Sequence, residues 1–192
     1  MQKTMNLDMW TYPPYIHSPQ GMELDLCDKI KEEYESELFV AKILDEDSPY
    51  VQKQVRQSDC YFLDINDENS KYFTFVQYLM DVNKYYYGFD LTRIEVMQLT
   101  RYQEGGHYNW HMDNMGSGAA NRKLSFTVNL SHEDEYEGGD LEIMMNSKDP
   151  IKLSREKGTM NVFPSFMLHR VTPVTKGTRW SLVGWACGKR FE

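Results

Sequence analysis

The sequence predicts a mainly β protein in which flanking helices precede a double-stranded β-helix, or jelly roll. Three observations carry that expectation. Stretches with helical spacing are confined to the first half of the chain. The second half carries short strands at close intervals, with apolar and polar residues alternating. Gly-bearing turns separate those strands, the pattern of a sandwich or jelly roll. The 192 residues suit a single domain, with a helical part over about 1–90 and the jelly-roll core over about 91–188. Apolar residues make up 41% of the chain and aromatic residues 14%, enough for a substantial core.

Each element follows from local chemistry. Asp8 to Ser18 is aromatic and Pro-rich, and Pro13-Pro14 forbids a regular helix; it reads as an extended arm or edge strand. Ser18-Pro19 resembles a helix start. From Gln20 to Glu37, Met22, Leu24, Leu26, Ile30 and Tyr34 give an amphipathic helix with an acidic outer face. Phe39–Leu44 reads as a strand, Asp45–Pro49 as a loop, and Val55–Leu63 as extended. Asp67 to about Tyr86 has helical spacing, and Gly88 marks its end.

Ile94–Tyr102 alternates as a strand, Glu104-Gly105-Gly106 breaks it, and Tyr108–Asp113 forms the next. The loop Asn114–Arg122 holds Gly116 and Gly118 and is suited to control access to a site. Strands follow at Lys123–Ser131, Asp140–Met145, Ile151–Leu153, Thr159–Phe163, Leu168–Val171 and Arg179–Ala186, with a turn at Glu137–Asp140.

Composition narrows the function. A formal charge of −8 argues against a general nucleic-acid binder. No apolar stretch approaches the roughly 20 residues of a membrane span, and the first residues lack the apolar core of a signal peptide. Cys27, Cys60 and Cys187 are odd in number and widely spread, so they read as reduced, buried thiols in a cytoplasmic protein.

The chemistry centres on His111-Met112-Asp113, His169 and Arg179. On an extended segment, residues two apart share a face, so His111 and Asp113 point together with Asn109, while Tyr108, Trp110 and Met112 face the packing side. His169 lies in an apolar run and needs a partner if buried. Two imidazoles and one carboxylate form a facial set that leaves positions open on a metal, the ligand type of non-haem Fe(II) oxygenases. Arg179 opens an otherwise apolar strand with no acidic residue nearby; its planar fork suits a carboxylate, and Ser181 shares its face. Ser125, Thr127 and Asn129 alternate with Phe126, Val128 and Leu130, giving a polar inward face. His107 and His132 fit no ligand position and are assigned to loops.

The stretch Tyr102-Gln103-Glu104-Gly105-Gly106-His107-Tyr108-Asn109-Trp110-His111-Met112-Asp113 resembles the Y-x-x-G-x-x-Y-x-x-H-x-D pattern of prolyl 4-hydroxylase-type 2-oxoglutarate and Fe(II)-dependent dioxygenases. Tyr136 to Leu141 and Leu168 to Arg179 resemble the PKHD-type hydroxylase branch. The resemblance covers about Leu91 to Trp185. It implies that His111, Asp113 and His169 bind Fe(II) and that Arg179 pairs with the distal carboxylate of 2-oxoglutarate. It further implies that Tyr102 hydrogen-bonds the co-substrate, that Ser181 assists Arg179, and that Leu141 and Val171 line the pocket. Asn129 stands where several hydroxylases place an aromatic residue that touches 2-oxoglutarate; an amide there can still bond a carboxylate.

The implied reaction consumes O₂ and 2-oxoglutarate, releases succinate and CO₂, and hydroxylates an unactivated C–H bond, with ascorbate as a candidate supporting reductant. The resemblance weights the substrate toward a prolyl or other protein side chain, with a free amino acid or small metabolite as the alternative. Outside enzymes, the rival is a catalytically silent jelly-roll binding or sensor module, which would usually lack a ligand or the clamp.

Overall fold

The computed structural model describes residues 13–19, 21–41, 55–63, 72–115, 119–145 and 149–189. Trp10 and Tyr12 of the expected arm, the Asp45–Pro49 loop, and Gly116 and Gly118 lie outside the described residues. The chain begins with β1 (Ile16–Ser18), α1 (Leu24–Tyr34), a 3-10 turn at Glu35–Glu37, β2 (Phe39–Val40), β3 (Arg56–Gln57) and β4 (Asp59–Leu63). It continues with α2 (Phe73–Val82), a π-turn at Asn83–Tyr87, β5 (Leu91–Ile94), β6 (Met97–Tyr102), β7 (His107–His111) and β8 (Arg122–Asn129). Then come β9 (Tyr136–Gly138), β10 (Leu141–Met144), β11 (Pro150–Lys152), β12 (Met160–Pro164), β13 (His169–Val171), β14 (Val174–Gly177) and β15 (Arg179–Gly188).

Antiparallel pairing sorts these strands into an eight-stranded sheet in the order β1-β12-β8-β15-β6-β4-β2, with β5 branching from β15. A five-stranded sheet runs β11-β10-β13-β7-β3, and β14 pairs with β9. This is the expected mainly β architecture with helices outside.

Alternation along the strands separates two interiors. Leu99, Leu124, Phe126, Val128, Leu130, Met160, Val162 and Leu182 face one way and form one core with Cys27 and Ile30 of α1 and Phe75, Leu79 and Val82 of α2. The odd-even partners of these residues face the five-stranded sheet. That sheet supplies Leu141, Ile143 and Val171, which cluster with Tyr102, Tyr136, Leu153, Phe163, Met167 and Val174.

Several boundaries differ from the sequence reading. α1 starts at Leu24, not at Ser18-Pro19, because the preceding residues are held against the sheet: Met22 N–H donates to Gly158 O at 3.0 Å, and a Cβ on Gly21 would collide with Met160. The second helix ends in a π-turn whose Asn83 side chain bonds both N–H and C=O of Phe89 at 3.0 and 2.9 Å, and Gly88 closes it at φ +66°. The single strand expected at Ile94–Tyr102 belongs to β6, with β5 separate from it on the other side of Glu95 and Val96. Glu137–Gly138, read as a turn, is strand β9, paired with β14, a strand the sequence reading did not place. Among the described residues, no helix is long and apolar enough to cross a membrane.

Candidate active site

β7 and β13 are neighbours, and their register sets His111 directly opposite His169. The two rings lie 4.2 Å apart. β7 ends at His111, so Asp113 is not on the strand but in the turn after it. Its backbone N–H donates to Ser165 O at 2.9 Å and its C=O accepts from Arg122 Nη1 at 3.3 Å. The turn therefore swings the carboxylate back between the imidazoles: Oδ1 is 3.5 Å from His111 Nε2, and Oδ2 is 3.5 Å from His169 Nε2. One donor atom from each residue lies within 4.8 Å of the others.

Both imidazoles are oriented from behind. His111 Nδ1 is 2.7 Å from Asn109 O, and His169 Nδ1 is 2.8 Å from Met167 O. A carbonyl only accepts, so each Nδ1 carries a proton and each Nε2 is the nitrogen turned into the centre. Tyr108 stacks flat on His111 at 3.6 Å and 13°, and Phe163 packs edge-on to His169 at 4.8 Å. Tyr108 was expected on the packing side; the register shift between His169 and Val171 accompanies its place against the site. Asn109, expected on the site face, is exposed and serves through its backbone carbonyl.

Asp113 is anchored by the Ser125 hydroxyl, which donates to Oδ2 at 2.6 Å and lies 3.0 Å from the Ser165 hydroxyl. Burial pushes the Asp113 carboxyl up, but His169, His111 and the Ser125 hydrogen bond outweigh it and hold the group below the usual carboxylate range. Burial drives His169 the other way, below an ordinary histidine and toward the neutral, ligating form. Two Nε2 atoms and an ionised carboxylate, converging with their outer hydrogen bonds already made, fit a divalent metal with open positions.

The second half of the site lies on the inner face of the larger sheet. Arg179, at the start of β15, is 2% exposed. Its Nη1 donates to Ser181 Oγ at 3.2 Å and its Nη2 to Asn129 Oδ1 at 3.3 Å, with the Tyr102 ring 5.4 Å away. Asn129 Nδ2 donates to Ser154 O at 2.7 Å, which fixes the amide with its oxygen toward the guanidinium. Gly139 lets the arginine stem pass: a Cβ there would stand 3.1 Å from Arg179 Cδ. Among the described residues no carboxylate lies within ion-pair distance of Arg179. A buried guanidinium with neutral partners alone lacks its countercharge.

The strand registers arrange this face in rows. Asn129 pairs with Ser181 on one side and meets Thr159 on the other; Thr127 pairs with Asn161 and Val183; Ser125 pairs with Phe163 and Trp185. The Arg179 head sits over the first row and the Ser125–Asp113 contact over the third, four residues or about 13 Å apart along β8. Leu141 and Val171, themselves a cross-strand pair, close the space from the opposite sheet. Tyr102 belongs to the same buried cluster.

The structure thus brings together His111, Asp113 and His169, and separately Arg179, Ser181, Asn129 and Tyr102, all on one interior. His132 is outside it, and His107 begins β7 rather than lying in a loop. Sequence reasoning missed the Asn109 and Met167 carbonyls, which carry no side-chain signal, and the specific roles of Ser125 and Arg122. The alternation over β8 pointed to Ser125 as inward but could not name its partner.

Residues 97–187 match the model of the 2OG-Fe(II) oxygenase superfamily. A PKHD-type hydroxylase of Synechococcus sp. strain CC9605 is 42% identical over 98 residues, 50% of this chain and 44% of that protein. A PKHD-type hydroxylase of Hyphomonas neptunium is 48% identical over 87 residues, 43% of this chain and 38% of that protein. The chain therefore covers less than half the length of these curated relatives. Among solved structures, a Pseudomonas putida prolyl-4-hydroxylase superposes with a TM-score of 0.69 at 18% identity, covering 92% of this chain and 93% of that one. A Trichoplax adhaerens prolyl hydroxylase, in complex with a peptide fragment of the hypoxia inducible factor oxygen degradation domain, gives 0.71 at 15% identity, covering 91% and 83%. At these identities the structural likeness establishes the jelly-roll fold.

Proposed function

Starting from a chain whose residues 97–187 match the model of the 2OG-Fe(II) oxygenase superfamily and resemble the PKHD-type hydroxylases, we propose that it is a hydroxylase acting on a prolyl or other protein side chain. The reading rests on one observation above the rest. The converging His111, Asp113 and His169 donors share an interior with a buried arginine that has no carboxylate partner among the described residues. A dicarboxylate bridging the two would supply the missing charge at one end and two metal-binding oxygens at the other.

His111 and His169 would hold Fe(II) through Nε2 and Asp113 through a carboxylate oxygen. Bound iron, 2-oxoglutarate and O₂ supply the oxidising power that hydroxylates an unactivated C–H bond, releasing succinate and CO₂, with ascorbate as a supporting reductant. The chain's own residues do the positioning. The Asn109 and Met167 carbonyls keep both imidazoles in the ligating tautomer; Ser125 keeps Asp113 ionised and aimed. Arg179, oriented by Ser181 and Asn129, holds the distal carboxylate and so fixes where the reacting end lies. The apolar cluster of Leu141, Val171 and Phe163 excludes water from that space. Met115 and Phe166 are exposed at 65% and 39% and lie two and three residues from metal ligands, an apolar rim that suits a peptide.

The test is succinate formation by purified protein given Fe(II), 2-oxoglutarate and ascorbate, with candidate peptides. Turnover in the wild type that vanishes in Asp113→Ala supports the hydroxylase. Absence of both turnover and metal-dependent 2-oxoglutarate binding would favour a silent jelly-roll binding module.

A further inference from the structure

We propose that Asn161, with Thr159 beside it, forms a second polar contact to 2-oxoglutarate, between the Arg179 clamp and the metal ligands; this rests on the co-substrate reading above. On β12 the neighbours Met160 and Val162 belong to the helix-side core, so Asn161 faces the inner space with Phe163. It is 0% exposed. Both its Oδ1 and its Nδ2 lack a hydrogen-bond partner, as does the buried Thr159 hydroxyl. Among the described residues, Asn161 alone has two such atoms.

A carboxamide buried without partners is unfavourable, and folded interiors pair such groups. Its surroundings show how the rest of this face is paired. Ser125 bonds Asp113, Ser181 and Asn129 bond Arg179, and Gln98 bonds Thr100 at 2.7 Å. Hydrogen-bonding capacity is left over in the row of Thr127 and Asn161, the one between the guanidinium and the Ser125–Asp113 contact. A five-carbon dicarboxylate reaching from clamp to metal must cross that row. Its carboxylate and keto oxygens only accept, so Asn161 Nδ2–H and the Thr159 hydroxyl donate to them. Satisfaction of these groups only on binding ties affinity to a ligand with acceptors along its length, a means of selecting a 2-oxo dicarboxylate over a simple one.

The experiment is calorimetric titration of 2-oxoglutarate into Mn(II)-loaded wild type and Asn161→Leu, with thermal melts of the metal-free proteins. Leu keeps the branching of Asn at Cγ, is larger by its two methyl groups, and removes the unpaired amide. Asn161→Leu is expected to melt at or above the wild-type temperature, to bind Mn(II) alone as the wild type does, and to bind 2-oxoglutarate about tenfold more weakly. Unchanged 2-oxoglutarate affinity in Asn161→Leu would overturn the proposal. Should that variant not fold, the near-isosteric Thr159→Val carries the same test, with a loss of about threefold expected and an unchanged affinity contradicting it. Wild type that binds Mn(II) but not 2-oxoglutarate would instead remove the co-substrate reading, and this contact with it.

Discussion

The two faces of β8, β12 and β15 are equally buried and opposite in character. On one, Leu124, Phe126, Val128, Met160, Val162 and Leu182 are all 0% exposed and pack under the helices. On the other, Ser125, Thr127, Asn129, Asn161, Arg179 and Ser181 are at most 4% exposed, yet polar or charged. The first face gains stability from every apolar area it removes from water. The second is costly to bury unless each group finds a partner. The difference shows where folding free energy comes from in this molecule and where some of it is held back for a ligand. Substitutions on the two faces should therefore differ in sign as well as size.

The largest effect is expected on the apolar face. The Phe126 ring packs edge-on to Phe75 at 4.9 Å and so close over Gly184 that a Cβ there would clash. Phe126→Ala should cost about 3–5 kcal/mol in chemical denaturation, while the folded fraction still binds metal. Next comes Arg179→Met, which should weaken 2-oxoglutarate binding about a hundredfold or more with stability unchanged or raised, as read by calorimetry and melting. A large loss of stability in that variant would break the comparison, since it would make the inner face a structural core. Ser125→Ala should weaken metal binding by about 10–100-fold, measured by competition with a chelating dye.

Acid should act on the same inner face. Asp113 and His169 both have folded pKa values below their unfolded ones. The unfolded chain then binds more protons, so stability is present above the ordinary histidine value of about 6.5 and is lost as the pH falls through it and on through the carboxylate range. Metal-free protein should melt at falling temperature over that window. The smallest effect lies on the helix side: burial raises the Cys27 thiol to about 11, so native protein at pH 8 should resist alkylation there and react only when unfolded.

Much of this was legible beforehand because two signals are local. Alternation over residues 123–131 assigns faces residue by residue, and the His111, Asp113, His169 and Arg179 side chains have few other uses at such positions. What was not legible depends on the third dimension. Asp113 lies in a turn whose direction is set by Ser165 O, far along the chain, and by Arg122 at the start of β8. β14 contains Lys176 and Thr175 and lacks a hydrophobic pattern; it is a strand because β9 pairs with it. Asn161 could be placed inward by alternation, but only the structure shows that no neighbour bonds it.

The measurement closest to the central claim is calorimetric titration of 2-oxoglutarate into protein with and without Mn(II), repeated with Asp113→Ala. Binding that requires the metal and disappears in Asp113→Ala is the predicted result, because clamp and ligands act on one molecule. Equal binding without metal, or no binding under either condition, would contradict the assignment of the two halves to a single site.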